Sequence, residues 1–259
     1  MGILNTTPDS FSDGGEHIEL ADCVDAGLGM EADGAAIIDI GGESTRPGAP
    51  AVSEVEETQR TVPVIRALRE KTEVLISIDT SKASVARAAL EAGADIVNDV
   101  TGLTGDPEML AVCVNSTCGI VVMHMQGNPR TMQQSPSYEN GVVNELKEFF
   151  TERLETLTQA GIEPERICFD PGIGFGKTVE QNLALIRSLP DLQKELGRPF
   201  LLGVSRKSII GALTGIENPS DRDSATAVMT AMSLKQGVML HRVHDVEINA
   251  QALRIANAM

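Results

Sequence analysis

The stretch VLISIDTSKASVARAALEAGADIVNDV, residues 74–100, decides the fold. It opens on VLISID from Val74, a short run rich in β-branched residues, and closes on DIVND from Asp95, a second such run. Between them Val85, Ala88, Ala89 and Ala92 recur at helical spacing, and Gly93 stands where that helix should stop. Strand, helix and strand in succession form a βαβ unit, which requires parallel strands. The alternation continues outward in both directions. GILN at Gly2 to Asn5 and AAIIDI from Ala35 precede it, while GIVVMH from Gly119, RICFD from Arg166, FLLGVS from Phe200 and VMLHRV from Val238 follow, making eight candidate strands. Val55, Val62, Ile65 and Leu68 pattern another helix, with Ser53 and Glu56 as a capping box at its start. A long helix is expected from Gly141 to Ala160, a loop from Gln126 to Tyr138, and helix stops at Gly161 and Gly237. No linker or low-complexity tract interrupts the pattern, so residues 1–259 are expected to form one α/β domain. Eight uninterrupted repeats favour a closed (β/α)8 TIM barrel over an open doubly wound sheet. The chain opens directly in its first strand, and the expectation is a barrel whose N-terminal bottom-capping segment is absent.

Composition narrows the function. Apolar residues make up 42% of the chain but aromatics only 3%, so aliphatic side chains must fill the core. A formal charge of −16 sets long-range repulsion against nucleic acid and anionic membrane surfaces. There is no unbroken apolar run of about eighteen residues and no signal-peptide pattern, which predicts a cytoplasmic protein. Cys23, Cys113, Cys118 and Cys168 form no CxxC pair and are read as reduced packing residues.

In a barrel the residues at the C-terminal ends of strands line the mouth where ligands bind. Here those ends are polar almost everywhere: Asn5, Glu43 to Arg46, Asp79, Asn98 and Asp99, Met123 and His124, Asp170, Ser205 to Ser208, and Arg242 to Asp245. A single Asp or Asn after a strand is commonly just a helix N-cap, and Asp79 and Asp99 fit that bland role. Their coincidence around one rim points to a site. Arg46, Lys207, Arg242 and His244 predict a cationic patch within an acidic chain, suited to phosphate or diphosphate. Asp170 can accept paired hydrogen bonds from an aminopyrimidine edge, with Asn98 and Asp79 completing the recognition and Met123 supplying apolar contact. The run GIGFGKT from Gly172 is no Walker A loop, because three residues separate Gly172 from Gly176 where that motif needs four.

With these residues in place, the chain resembles the dihydropteroate synthase family of pterin-binding barrels over essentially its whole length. The motifs are GILNTTPDSFSDGG at Gly2, GGESTRPGA at Gly41, SIDTSK at Ser77, ND at Asn98, MHMQGNPRTMQ at Met123, DPGIGFGK at Asp170, SRKS at Ser205 and RVHD at Arg242. The resemblance implies condensation of p-aminobenzoate with a hydroxymethyl-dihydropterin diphosphate, in folate biosynthesis, by a homodimer that sulfonamides inhibit. It implies a pterin pocket of Asp79, Asn98, Val100, Met123, Asp170, Gly174, Phe175 and Lys207. The diphosphate would meet Asn5, Thr45, Arg46, Arg242 and His244, with Asn5 also holding Mg2+. The p-aminobenzoate would meet Thr45, Arg46, Pro47, Phe175, Lys207 and Ser208. Arg46, Asp79, Lys207, Arg242 and His244 would carry catalysis. Thr6, Ile173 and His241 depart from the usual residues without removing a motif position. Two alternatives remain: a pterin-binding methyltransferase module, which needs no diphosphate site, and a non-catalytic pterin-binding paralogue.

Overall fold

The computed structural model describes residues 1–7, 20–44, 49–127, 132 and 136–259. All eight expected strands form: β1 (Gly2–Asn5), β2 (Ile37–Gly41), β3 (Leu75–Asp79), β4 (Ile96–Asp99), β5 (Gly119–Met123), β6 (Ile167–Asp170), β7 (Leu201–Leu202) and β8 (Leu240–His241). Each is followed by helix: α1 (Leu20–Ala32), α2 (Glu54–Arg69), α3 (Ala83–Glu91), α4 (Met109–Val114), α5 (Val142–Gln159) and α6 (Val179–Leu196) after the first six strands. Two helices, α7 (Ser208–Thr214) and α8 (Asp223–Lys235), follow β7, and α9 (Val246–Ala258) follows β8.

Strands β1 to β6 pair in chain order and in parallel, and β7 pairs with β8. Two thin seams close the ring. Phe169 and Phe200 bridge β6 to the start of β7, where the Phe169 N–H donates to the Pro199 carbonyl at 3.0 Å. Gly2 and Val243 bridge β1 to β8, with Ile3 N–H to the Val243 carbonyl at 3.0 Å and Val243 N–H to the Met1 carbonyl at 2.9 Å. Few backbone bonds hold the first seam, and aromatic packing covers it. Phe150 of α5 stacks on Phe169 at 4.5 Å and meets Phe200 edge-on at 5.4 Å. The architecture is a (β/α)8 barrel.

Strand alternation divides the interior. Ile38, Ile40, Ile76, Ile78, Val97, Ile120, Val122 and Phe169 belong to the apolar layer shared with the helices, which is the main core. The opposite set faces the barrel axis. A small apolar cluster of Val121, Cys168 and Leu201 plugs part of that axis, and a polar set lies above it. Register builds the polar set. Ile3, Asp39, Ser77 and Ile96 pair across β1 to β4, and two residues further on Asn5, Gly41, Asp79 and Asn98 form the next row.

Helix ends follow chain chemistry with two corrections. Gly93, Gly161 and Gly237 each sit one residue beyond a helix C-cap, at φ 111°, 99° and 88°. Ser53 accepts from Glu56 N–H at 3.2 Å, but only half of the expected capping box forms. The Glu56 carboxylate turns instead to Arg60, an i,i+4 partner. Val55 is 68% exposed, so the buried stripe of α2 runs through Thr61, Val64, Ile65 and Leu68. The four cysteines are free and buried, as expected. Among the described residues no helix is long and apolar enough to cross a membrane.

Candidate active site

Asp170 ends β6 and is buried, and its Oδ1 accepts the Gly172 N–H at 2.7 Å, which turns the loop sharply behind it. Burial raises its pKa, opposed chiefly by the Lys207 cation. Lys207, the N-cap of α7, donates to the Ile173 carbonyl at 2.7 Å and lies 4.7 Å over the Phe175 ring. Burial lowers its ammonium to about 8, with Asp170 pulling the other way. Gly203 of the β7 end lies between them. A Cβ on Gly203 would lie 3.7 Å from both Asp170 Oδ2 and Lys207 Nζ.

The second half of the site is an ion cluster. Arg242, just beyond β8, donates from Nε to Asp39 Oδ2 at 2.6 Å and from Nη2 to Asp79 Oδ2 at 2.7 Å. Asp39 Oδ2 also accepts from Asn98 Nδ2 at 3.1 Å. That bond settles the Asn98 amide, whose oxygen is directed away from Asp39. Burial opposes the Arg242 charge, but Asp39 and then Asp79 outweigh it, and the guanidinium is held above its ordinary pKa. For Asp79 burial raises the pKa and Arg242 resists. Within the expected cationic patch, Arg242 sits between two carboxylates. Asp79 is no helix cap. Asp99 is no helix cap either, since Glu108 precedes α4; it closes the turn after β4, accepting from Thr101 N–H at 2.7 Å and Leu103 N–H at 3.1 Å.

The remaining expected residues fall around these two groups. A Cβ on Gly41 would lie 3.8 Å from Asp79 Oδ2 and 3.9 Å from Asn5 Oδ1, which brings Asn5 beside the ion cluster. Met123, Phe175 and Met132 pack together with Val100 against them, forming an apolar wall. Gly174 approaches the Lys207 stem, its Cβ position being 3.5 Å from Lys207 Cδ. His244 is held by Ser205, whose Oγ lies 2.9 Å from Nδ1. Ser208 opens α7 directly after Lys207. Thr45, Arg46 and Pro47, and most of the loops that contain TPDSFSDGG and STRPGAP, lie outside the described residues.

Sequence reasoning missed Asp39 and Ser77. Both are fully buried on the axial face, and Asp39 Oδ1 and Ser77 Oγ have no hydrogen-bond partner among the described residues. The one sequence signal was an Asp inside the otherwise apolar AAIIDI. No group of three or more His, Cys, Asp or Glu able to hold a metal occurs among the described residues. Asn5 offers one hard carboxamide oxygen near Asp79, a donor type that suits Mg2+ when phosphate oxygens and water supply the rest of its shell.

A closed barrel with a buried carboxylate on one side of its mouth and an arginine–carboxylate cluster on the other defines a class. Residues 1–244 match the family model of pterin binding enzymes. A curated dihydropteroate synthase of Synechocystis sp. is 49% identical over 259 residues, covering all of this chain and 89% of that protein. The Yersinia pestis dihydropteroate synthase in complex with a sulfonamide superposes with a TM-score of 0.93 at 41% identity, covering 99% of this chain and 92% of that one. The Xanthomonas albilineans dihydropteroate synthase with 4-aminobenzoic acid gives 0.92 at 44% identity, covering 99% and 91%. The chain belongs to the pterin-binding enzymes and, within them, to the dihydropteroate synthases.

Proposed function

We propose that this chain joins p-aminobenzoate to 6-hydroxymethyl-7,8-dihydropterin diphosphate, releasing diphosphate and forming 7,8-dihydropteroate for folate synthesis. The observation that carries the reading is the pairing of Asp170 with Lys207 on one side of the mouth and Arg242 with two carboxylates on the other. Asp170 accepts from the pterin N–H and amino group, the Asn98 oxygen takes a further donor, and Lys207 bonds the ring's polar edge. Val100, Met123 and Phe175 cover its faces, Gly174 lets the ring lie close to Lys207, and Asp79 completes the edge.

The exocyclic C–O bond to diphosphate then breaks, leaving a methylene cation that the electron-rich dihydropterin delocalises. The aryl amine, neutral at pH 7, attacks that carbon and loses a proton to solvent. No general base is required, and catalysis consists of leaving-group stabilisation and positioning. Arg242, His244, Thr45 and Arg46 take the diphosphate oxygens. Asn5 would hold a magnesium ion, which when bound would supply further neutralisation of the leaving group. The amine substrate lies among Thr45, Arg46, Pro47, Phe175, Lys207 and Ser208, where a sulfonamide of the same outline competes. We further propose a cytoplasmic homodimer, supported by the exposed apolar pair Val228 and Met232 one turn apart on α8.

Diphosphate release, measured with each substrate withheld in turn and with magnesium present, tests the reading. Sustained release, beyond one equivalent per site, should need both substrates and fall as a sulfonamide is added in competition with p-aminobenzoate. No release with everything present would overturn the catalytic assignment. Sustained release without p-aminobenzoate would indicate a hydrolase.

A further inference from the structure

Lys177 closes the run that mimics a Walker A loop, yet the reaction as proposed makes no use of it. Its side chain is directed inward, and the residue is only 3% exposed. Nζ lies 2.9 Å from the Phe175 carbonyl, 3.0 Å from the Gly172 carbonyl, 3.2 Å from the His124 carbonyl and 3.1 Å from His124 Nδ1. An ammonium has three hydrogens to give, so these four acceptors saturate it. Burying such a charge costs several kcal/mol unless it is compensated, and here the compensation comes mainly from backbone oxygens. The groups that face it are His124 at the end of β5, Asp170 at the end of β6 and Lys207 at the head of α7.

The acceptors belong to the two walls of the heterocycle pocket. His124 follows Met123, and its N–H donates to the Asp170 carbonyl at 3.0 Å. Gly172 donates to Asp170 Oδ1, and Phe175 is the ring beneath Lys207. Lys177 thus ties the β5 wall to the loop that presents Asp170, Ile173 and Phe175. Burial lowers its ammonium to about 7 and, with the Lys177 charge adding to the effect, holds His124 neutral at about 3. A neutral imidazole accepting at Nδ1 carries its proton on Nε2.

We propose that Lys177 is a positioning residue of the pterin pocket, an internal cation that gathers the backbone oxygens of Gly172, Phe175 and His124 and so fixes Asp170 and Phe175 for the heterocycle. This rests on the pterin reading of the site. The anion-binding residues Arg242 and His244 make no contact with Lys177 in the hydrogen bonds described, so the two halves of the site can be read separately.

The test is calorimetric titration of wild type and Lys177→Met with a diphosphate-free hydroxymethylpterin and, separately, with inorganic diphosphate plus magnesium. Pterin affinity should fall at least tenfold in the variant while diphosphate affinity stays within twofold. Adding methylammonium to Lys177→Ala should recover part of the lost pterin affinity, because the carbonyl cage accepts any small alkylammonium. Unchanged pterin binding, or equal weakening of both ligands, overturns the inference. If neither variant folds, nitrogen-15 lysine spectra of the wild type decide. The Lys177 ammonium should show slowly exchanging protons and shift on addition of pterin but not of diphosphate, and its failure to shift with pterin overturns the proposal. A wild type that binds no pterin refutes the functional reading instead.

Discussion

Asp39→Asn isolates the charge beneath the proposed diphosphate site, because the amide keeps the size of the carboxylate. Asp39 is 0% exposed, and its Oδ2 holds Arg242 Nε at 2.6 Å and Asn98 Nδ2 at 3.1 Å. Breaking a buried ion pair by removing one partner costs roughly 3–5 kcal/mol. The lower end applies, because Asp79 remains on Arg242 at 2.7 Å and loses the neighbouring charge that helps to raise its own pKa. A loss of about 3 kcal/mol lowers the melting temperature of a domain this size by roughly 6–12 °C. Asn98 at the same time exchanges a charge-assisted bond for a neutral one, worth about 1 kcal/mol or roughly fivefold in pterin affinity. Thermal melts of Asp39→Asn, Arg242→Met and the double variant give the coupling directly. A melting point within 2 °C of wild type, or a coupling energy below about 0.5 kcal/mol, would refute the argument that Asp39 and Arg242 act as a pair.

Three other outcomes follow from the same geometry. Arg242→Ala strands both Asp39 and Asp79, so Arg242→Lys is the cleaner probe. It should weaken inorganic diphosphate by about tenfold and leave a diphosphate-free pterin nearly unchanged, whereas Asp170→Asn should do the converse in the same titrations. His241, 5% exposed and bonded to Ser233 Oγ at 2.8 Å, has its pKa lowered to about 4, chiefly by burial. Between pH 6.5 and that value the unfolded chain takes up a proton that the fold refuses. The His241 contribution to stability is therefore present above pH 6.5 and lost on acidification, by up to about 1.4 kcal/mol per pH unit. The difference between wild-type and His241→Gln urea curves should show that slope, and a flat difference would contradict it. Gly172→Ala, at φ 64°, would place its Cβ 1.9 Å from the His124 carbonyl oxygen, so urea denaturation should report a loss above about 3 kcal/mol.

Much of this was legible before any coordinates. The β-branched runs and the glycines behind the helices located every strand and several helix ends, because backbone preference and side-chain alternation act over a few residues. Asp170, Asn98 and Lys207 stood out as candidates by their places at strand ends, since a parallel barrel gathers such positions at one mouth. Asp39 escaped because it lies within a strand, where sequence does not say whether a residue faces the axis or the helices until register is fixed. Lys177 stands in a run whose spacing departs from a Walker A loop, and its cage of carbonyls is a product of backbone folding with no side-chain signature.

By itself, then, the sequence determined the barrel, the order of its strands and the residue types available at the rim, all of which rest on local periodicity and composition. Tertiary structure alone decided how those residues are charged and paired. Arg242 meets Asp39 across 203 residues of chain and Asp79 across 163. Electrostatic energy depends on distance and burial, neither of which a linear order specifies. Arg242, which the sequence presented only as one member of a cationic patch, is in the folded barrel a guanidinium held between two carboxylates.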